Sequence, residues 1–305
     1  MLTRVGCFLV AGFIAAAGVW QSSARAAPMF LAAIDAQRDV LVRIDPLTGA
    51  TSDVGPLTQD LGTALDLATD GAGTLFALVD DPGNVRLYNI DAATGAVTHT
   101  RTLSAGGTNI GRGESIFYAD GAVYVAYASA NNATQSAMLG EPDANGVLTN
   151  NVALAGDSNF PATCAGTPCT IDADGAGTDQ QGNVFTTDRN PNTFVLLNEV
   201  DPISGNLTLV RQFGDFAPAN DIVGIGDDLF MMDSVGKQLW RYDRSADSLT
   251  GPTTIDSDNP LYGLTRLPAT VPEPSFAAFA GFGAVWLAHS ARRRRRQRLG
   301  DVGGI

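Results

Sequence analysis

The chain has 305 residues, is 45% hydrophobic and contains 34 glycines, so it is long enough to bury a core and favours short strands and tight turns over helices. The segment from Ala27 to Val271 holds 11 basic against 30 acidic residues, a formal net charge of −19. This charge argues against nucleic acid as a partner, and it is typical of a solubility feature or of cation binding.

The first 26 residues have the features of a signal peptide. Arg4 precedes an apolar run from Val5 to Trp20, and Ala24 and Ala26 are the small residues that signal peptidase requires. An uncleaved anchor would need an apolar run of about 20 residues. The sequence therefore predicts export, with a signal peptide over residues 1–26 and a mature protein that begins at Ala27.

A hairpin motif repeats along residues 27–268. Asp-x-x-x-Gly turns at 45–49 (DPLTG), 91–95 (DAATG) and 201–205 (DPISG) each join two β-type runs, and weaker copies lie at 142–146 and 243–247. Upstream of each hairpin is another strand pattern with an aromatic residue near its start. These residues are Phe30, Phe76, Tyr124, Phe185 and Phe230, with spacings of 46, 48, 61 and 45 residues. Such a period, with several strands per unit, is typical of a propeller blade.

A further strand pattern precedes four of the aromatic strands, over residues 65–69, 115–119, 177–180 and 222–226, and the first repeat lacks it. The missing strand appears at Leu261–Leu267 (LYGLTRL), after the last hairpin. If it pairs with Met29–Asp35 (MFLAAID), five four-stranded blades close into a ring without an open edge. The sequence thus predicts an all-β domain, a five-bladed β-propeller closed by its N- and C-terminal strands. It is similar to secreted β-propellers with Asp-x-x-Thr-Gly hairpins, and a β-sandwich is the alternative fold.

The third repeat is the longest and contains Cys164 and Cys169. In an exported protein, two cysteines five positions apart indicate a local disulfide. Two thiols without a nearby histidine or further cysteine do not complete a zinc site. The extra residues around this loop are where we would first look for binding specificity.

Two groups of acidic residues are candidate cation sites. Asp172, Asp174 and Asp179 alternate along a Gly-rich segment, where their oxygens could converge on Ca²⁺, although Ala176 and the lack of a closing glutamate depart from the EF-hand pattern. An ordinary Asp-Gly loop is the alternative. A second group of acidic residues lies near the ends of the aromatic strands, and in a closed ring these residues should lie toward one common face. They would bind a cation or a basic ligand there, and the alternative is that each aspartate simply starts a turn. The group consists of Asp35, Asp80, Asp81, Asp188 and Asp233.

Catalytic motifs are sparse. His99 is the one histidine before the C-terminal segment, and it lies in a predicted outer strand, Val97 to Leu103. The sequence has no evident Ser-His-Asp set, phosphate-binding Gly-rich loop or HExxH motif. Catalysis by carboxylates stays open, because acidic residues are abundant and their distances are unknown at this stage.

The C-terminal segment has three parts. A linker over 269–275 contains Pro272, Glu273 and Pro274, and residues 276–291 are largely apolar, with no acidic or basic residue except His289. A basic cluster follows, consisting of Arg292, Arg293, Arg294, Arg295 and Arg296. About 16 apolar residues cross a bilayer marginally, and the arginines keep residues 292–305 in the cytoplasm. We therefore predict a transmembrane helix over 276–291 that anchors an outward-facing domain.

This order of parts resembles the PEP-CTERM sorting signal of Gram-negative-type bacteria. The resemblance covers residues 271–305 and implies that a membrane-embedded exosortase, a cysteine-type transpeptidase, recognises Pro272, Glu273 and Pro274 and processes the tail. The two prolines would hold the motif extended just outside the membrane. Residues 297–305 extend beyond the usual pattern, and an ordinary anchor with a proline-rich linker is the alternative.

Three functions fit these features. The first is a non-catalytic surface or matrix protein whose propeller is an interaction platform for polysaccharide or envelope proteins. The second is a structural component of an extracellular polysaccharide matrix. The third is a hydrolase or lactonase whose cofactor would be Ca²⁺ in its central channel. The sorting signal and the lack of catalytic motifs favour the first two functions. The fold alone does not choose among the three, because propellers host all of these roles.

Overall fold

A computed structural model describes residues 29–268, except 63, 82–83, 129–136, 157–162, 165–166, 169–170, 172, 191–193, 215–219, 234 and 236. The predicted signal peptide, the Pro-Glu-Pro motif, the transmembrane helix and the basic cluster lie outside the described residues. Within the described residues, no helix has the length and apolar character needed to cross a membrane.

The strands form five main sheets, here called blades 1 to 5. Blade 1 contains β1 (Leu31–Asp35), β2 (Val40–Ile44), β3 (Thr51–Pro56) and, as its inner strand, β25 (Tyr262–Arg266). Blade 2 contains β4 (Ala64–Thr69), β5 (Thr74–Asp81), β6 (Asn84–Asp91) and β7 (Val97–Thr102). Blade 5 contains β21 (Asp221–Ile225), β22 (Asp228–Asp233), β23 (Gln238–Asp243) and β24 (Ser248–Thr254).

Blades 3 and 4 carry additional short strands, so the prediction of four strands per blade holds for three of the five sheets. Blade 3 contains β10 (Arg112–Ala119), β11 (Ala122–Ala128), β12 (Ala137–Pro142) and β13 (Val147–Ala153), extended by β8 (Ser104–Ala105) and β9 (Thr108–Asn109). Blade 4 contains β17 (Gly175–Thr178), β18 (Val184–Asn190), β19 (Phe194–Val200) and β20 (Asn206–Phe213), extended by β14 (Ala155–Gly156). A separate hairpin pairs β15 (Thr163–Cys164) with β16 (Thr167–Pro168).

The five blades close into a ring. The inner strands contact one another in the cyclic order β25, β4, β10, β17, β21 and back to β25. Closure occurs in blade 1, where β1 pairs antiparallel with β25, placing Leu31 opposite Arg266 and Ile34 opposite Tyr262. The prediction that the first and last strands share one blade is therefore confirmed, and neither strand is left as an open edge at the closure.

Alternate residues of a strand point to opposite sides of its sheet, and both sides are buried here. In β1, Ala32 and Ile34 pack in the core between blades 1 and 2, whereas Leu31 and Ala33 pack in the core between blades 1 and 5. Equivalent cores fill the other three boundaries between adjacent blades. Each fully buried leucine or isoleucine contributes on the order of 2 kcal/mol to the folded state.

The inner strand of blade 4 differs from its sequence prediction. The pattern predicted a strand over 177–180, and the observed β17 begins and ends two residues earlier. Close packing against β21 explains the difference. A Cβ added at Gly175 or Gly177 would overlap the carbonyl oxygen of Asn220 or Ile222, so these two glycines allow the neighbouring backbones to approach.

The repeated Asp-x-x-x-Gly turns connect the third and outer strands of a blade and pack against the outer strand of the preceding blade. In each well-formed copy the aspartate accepts amide hydrogen bonds within its own turn, as Asp45 does from Leu47. The glycine has positive φ and lies against the outer strand of the preceding blade, so that Gly49 O accepts a hydrogen bond from the Asp256 amide at 2.9 Å. Gly146 and Gly205 accept equivalent bonds from Ser104 and Ala155, both at 3.0 Å. The motif therefore has a structural role at the blade boundaries.

The antiparallel order gives the ring two faces. What we call the loop face carries the loops that lead into the inner strands and the loops between the second and third strands of each blade. What we call the turn face carries the turns between inner and second strands and the Asp-x-x-x-Gly turns. The central axis of the ring runs from one face to the other.

Candidate functional site

A buried carboxyl group lies on the central axis. Asp66 of β4 is fully buried, and its Oδ1 accepts the amide of Leu67 at 2.7 Å. Its Oδ2 accepts the amides of Ile116 on β10, at 3.0 Å, and Ala176 on β17, at 3.3 Å. Strands β4 and β17 are not neighbours in the ring, so the side chain that joins them crosses the axis. Asp66 therefore closes the central channel at this level.

The residues around Asp66 form a polar layer. Four residues occupy the same position on the inner strands of blades 2 to 5, namely Asp66, Ser115, Gly175 and Asp221. Each pairs with a residue of the second strand, and that residue pairs in turn with an equivalent leucine of the third strand. Asp221 is 1% exposed and Ser115 is fully buried. Within the described part of the chain, the Ser115 hydroxyl has no hydrogen-bond partner. These four positions thus hold small or polar residues, whereas the equivalent position of blade 1 is Tyr262, which packs against the core between blades 1 and 2.

Ionisation of the acidic side chain of Asp66 in this layer is unfavourable. Burial raises the pKa of Asp66 well above its ordinary value, and the nearby Asp221 carboxylate raises it further, against the three amide hydrogen bonds that lower it. Glu114, next to Ser115 on β10, is also buried, and its Oε1 lies 3.7 Å from Arg112 Nε. The Oε2 atom of Glu114 has no hydrogen-bond partner among the described residues.

These residues do not fit a central Ca²⁺ site. Such a site needs six to eight oxygen ligands, and both oxygens of Asp66 already accept amide hydrogen bonds. Among the described residues, no group of three or more histidine, cysteine or acidic side chains is placed to hold a metal ion. We therefore propose no calcium-dependent chemistry at the axis.

The calcium site predicted at Asp172, Asp174 and Asp179 is divided by a strand. Asp174 precedes β17 and Asp179 follows it, and a four-residue strand is about 13 Å long, so the structure does not bring these two carboxylates together. Asp172 lies outside the described residues. Asp179 is instead fully bonded: its Oδ1 accepts the amides of Gln181 and Asn183, and its Oδ2 accepts Asn183 Nδ2 at 2.8 Å.

Asp179 also forms a buried ion pair at the turn-face end of the axis. Arg244 Nη2, from the hairpin turn of blade 5, lies 2.8 Å from Asp179 Oδ2, and the side chains are 21% and 0% exposed. The Arg244 guanidinium lies over the ring of Phe185, 4.9 Å from its centroid. The inner strand of blade 1 ends at Arg266 on the same face. The sequence did not indicate the ion pair of Arg244 with Asp179, because Arg244 lies in the weak turn copy at 243–247 and nothing in that turn pattern points to a partner on blade 4.

The acidic residues that end second strands share the loop face, as the pattern predicted, because those strands all end there. Asp35 is the best defined. It accepts hydrogen bonds from Arg38 Nε at 2.6 Å and from Asn259 Nδ2 at 3.1 Å. Burial opposes its ionisation, but these bonds lower the pKa of Asp35 below its ordinary value. Asp35 thus stabilises its own loop, and the described residues of this group do not form one shared site.

The structure describes one cysteine of the predicted disulfide and the one histidine of the repeat region. Cys164 belongs to β15, and Cys169 lies outside the described residues, so the disulfide stays a prediction. His99 lies on β7, the outer strand of blade 2, and is exposed, as expected for a surface histidine.

A cavity of about 210 Å³ lies between blades 5 and 1, lined by residues that include Leu47, Trp240 and Arg241.

Comparisons with known proteins do not assign this chain to a family. No family model matches the chain, and no curated protein matches it. Among solved structures, it is similar to a chain of a nidogen/laminin complex, with 17% identity, a TM-score of 0.45, and coverage of 79% of this chain and 86% of the other. It is also similar to a PQQ-bound aldose sugar dehydrogenase from Streptomyces coelicolor, with 14% identity, a TM-score of 0.42, and coverage of 77% and 81%. The closed ring of five sheets defines a five-bladed β-propeller.

Proposed function

We propose that this protein is an exported, surface-sorted, non-catalytic binding or structural protein of the bacterial envelope or extracellular matrix. Its C-terminal tail would be recognised by an exosortase through Pro272, Glu273 and Pro274. The observation that supports a non-catalytic role most directly is the position of Asp66, whose side chain joins three inner strands across the axis. The place where a propeller commonly binds a substrate or metal is here used to hold the ring together.

The other acidic residues support the same proposal. Asp35 and Asp179 are held by several hydrogen bonds each, and the aspartates of the repeated turns bond their own backbone. A catalytic carboxylate has to face a substrate, whereas these groups face protein donors. The hydrolase hypothesis would need a metal held by several blades, and the described residues do not supply one.

The sorting part of the proposal is tested in a host that contains an exosortase. We expect wild-type protein to lose its tail and to become accessible to protease added outside the cells, and Glu273→Ala to accumulate with an intact tail. The matched control is Ser275→Ala, which leaves the Pro-Glu-Pro motif unchanged and should be processed normally. Equal processing of Glu273→Ala and wild type would show that the motif is an ordinary linker.

The non-catalytic part is tested separately on purified full-length protein. A panel of lactones and esters is incubated with the protein, with and without a calcium chelator. We expect no turnover in either condition. Turnover that disappears with chelator would instead support the hydrolase hypothesis and would place the metal among residues that the structure does not describe.

A further inference from the structure

The cavity between blades 5 and 1 lies away from the central axis. Its lining residues belong to the second, third and outer strands of blade 5 and to the turn at 45–49 of blade 1. Its volume is about 210 Å³. Pockets that hold drug-sized ligands measure about 300 to 1,000 Å³, so this cavity has room for one small unit.

The cavity combines an apolar floor with hydrogen-bonding groups. Phe230 and Leu239 are 3% and 2% exposed and belong to the core between blades 1 and 5. Across the sheet, Phe230 pairs with Arg241, and Arg241 pairs with Thr250 of the outer strand. The Thr250 hydroxyl donates to Arg241 O at 3.2 Å, which leaves its own oxygen able to accept. A ligand in the cavity would therefore contact both apolar carbon and polar groups.

The outer strand of blade 5 leaves this space open. In blades 1 and 4, the bulge of the outer strand contains Val54 or Val210, and each valine packs against the core beside it. The bulge of blade 5 instead contains Gly251 and Pro252, and both are exposed. Gly251 has no side chain, so it lines the cavity without filling it.

The wall from blade 1 is a turn held in place by hydrogen bonds. The amides of Leu47 and Gly49 donate to Asp45, at 2.8 Å to Oδ1 and 2.9 Å to O respectively. Gly49 O accepts the amide of Asp256, which ties the turn to blade 5. Leu47 is nevertheless 73% exposed. The turn thus presents an apolar side chain at the mouth of the cavity, where a ligand can cover it.

The charges at the cavity favour a neutral ligand. Arg241 Nη2 lies 2.8 Å from Asp228 Oδ2, and Asp228 pairs across the strands with Asp243. Two carboxylates therefore accompany one guanidinium, and the net charge of −19 over residues 27–271 repels anions as well. A cation would meet Arg241 in the lining. A guanidinium has five N–H donors and one carboxylate engages at most two, so donors stay available for a hydroxyl group.

From this cavity we infer that blade 5 and the 45–49 turn bind one neutral hexose unit. A pyranose ring has apolar C–H faces and a rim of hydroxyl groups that both donate and accept hydrogen bonds. The faces match Phe230, Leu239 and Leu47, and the rim matches the ion pair of Arg241 with Asp228. The inference rests on the proposed binding role and names the class of its ligand.

The test is saturation-transfer NMR on purified full-length protein with D-glucose, D-galactose and D-mannose, each compared with its own uronate. We expect at least one hexose to bind, and its uronate to bind at least about tenfold more weakly. The methyl glycoside of that hexose identifies the source of the ligand. Equal binding of the glycoside supports a unit of a polysaccharide, and binding lost on methylation supports a free sugar.

Two exposed lining residues are changed, each with a matched control in blade 4. Leu47→Ala should weaken hexose binding at least about threefold, because apolar contact is lost. Its control is Ile203→Ala, at the same position of the 201–205 turn and 76% exposed. Arg241→Gln should weaken binding at least about tenfold through lost hydrogen bonds. Its control is Arg211→Gln, whose ion pair with Asp247 is similarly exposed. Both controls should bind as wild type does.

Several results would overturn the inference. These are no binding of any hexose, tighter binding of a uronate, and equal binding by wild type, Leu47→Ala and Arg241→Gln. Binding of N-acetyl-leucinamide in place of every hexose would also overturn it, since the cavity would then accept an apolar side chain of a partner protein. A protein that is sorted normally and yet binds no hexose would overturn this inference alone and leave the sorting proposal standing.

Discussion

Asp66 and Asp221 lie at equivalent positions on two inner strands that are not neighbours in the ring, and both carboxyl groups are buried at the axis. The carboxylate of Asp221 makes ionisation of Asp66 less favourable, and burial acts in the same direction. Asp66 nevertheless accepts amide hydrogen bonds from three blades. The residue whose carboxyl group bridges three inner strands is therefore also one whose ionisation opposes folding.

The stability of the protein should decrease as pH rises above about 4. The pKa of Asp66 is raised in the folded state, so the folded protein retains a proton that the unfolded protein releases. The resulting contribution to the free energy of unfolding is complete below the ordinary pKa of 3.8 and is lost as the pH rises through the raised value. Urea midpoints between pH 4 and 8 should fall for wild type and fall less for Asp66→Asn. Glu199→Gln, at an exposed position of the otherwise buried strand β19, is the control. Parallel curves for Asp66→Asn and wild type would contradict the assignment.

Loss of the Asp66 side chain should be costly. Asp66→Ala leaves the amides of Leu67, Ile116 and Ala176 buried without acceptors, and each such group costs about 1 to 3 kcal/mol. We expect the free energy of unfolding at pH 5 to fall by at least about 3 kcal/mol, measured by urea denaturation. A loss below about 1 kcal/mol would mean that water or another group replaces the carboxylate.

The Asp-x-x-x-Gly turn of blade 1 can be tested with two glycines of nearly equal backbone angle. Gly49 has a φ of 72° and Gly71 a φ of 71°, so an alanine at either position is similarly strained. At Gly49 the new Cβ would also overlap Thr254 O of blade 5, whereas at Gly71 it meets nothing within 4 Å. Gly49→Ala should therefore destabilise the ring by about 1 to 3 kcal/mol more than Gly71→Ala in thermal or urea unfolding. Equal losses would show that the turn does not hold blades 5 and 1 together.

Much of the ring could be predicted from the sequence, because each blade repeats an aromatic strand and a turn whose glycine has a fixed backbone requirement. The axis could not. Asp66 stands between Leu65 and Leu67 in a strand otherwise read as apolar, and that single acidic residue was the signal of a buried polar centre. Which backbone amides it would meet depends on strands 50 and 110 positions away, which no local pattern specifies.

The buried ion pair should be more important than an exposed one of similar geometry. Arg244→Gln leaves Asp179, whose side chain is 0% exposed, without its charged partner and removes hydrogen bonds to Gly226 O and Asp227 O. We expect a loss of about 3 to 5 kcal/mol in the free energy of unfolding. Arg211→Gln breaks a pair whose side chains are 45% and 57% exposed and should cost at most about 1 kcal/mol. Both variants are compared by urea denaturation at pH 7 and at two salt concentrations. The effect of Arg244→Gln should be insensitive to salt because water does not reach Asp179, and an equal, salt-sensitive loss in both variants would show that the axial pair is solvated.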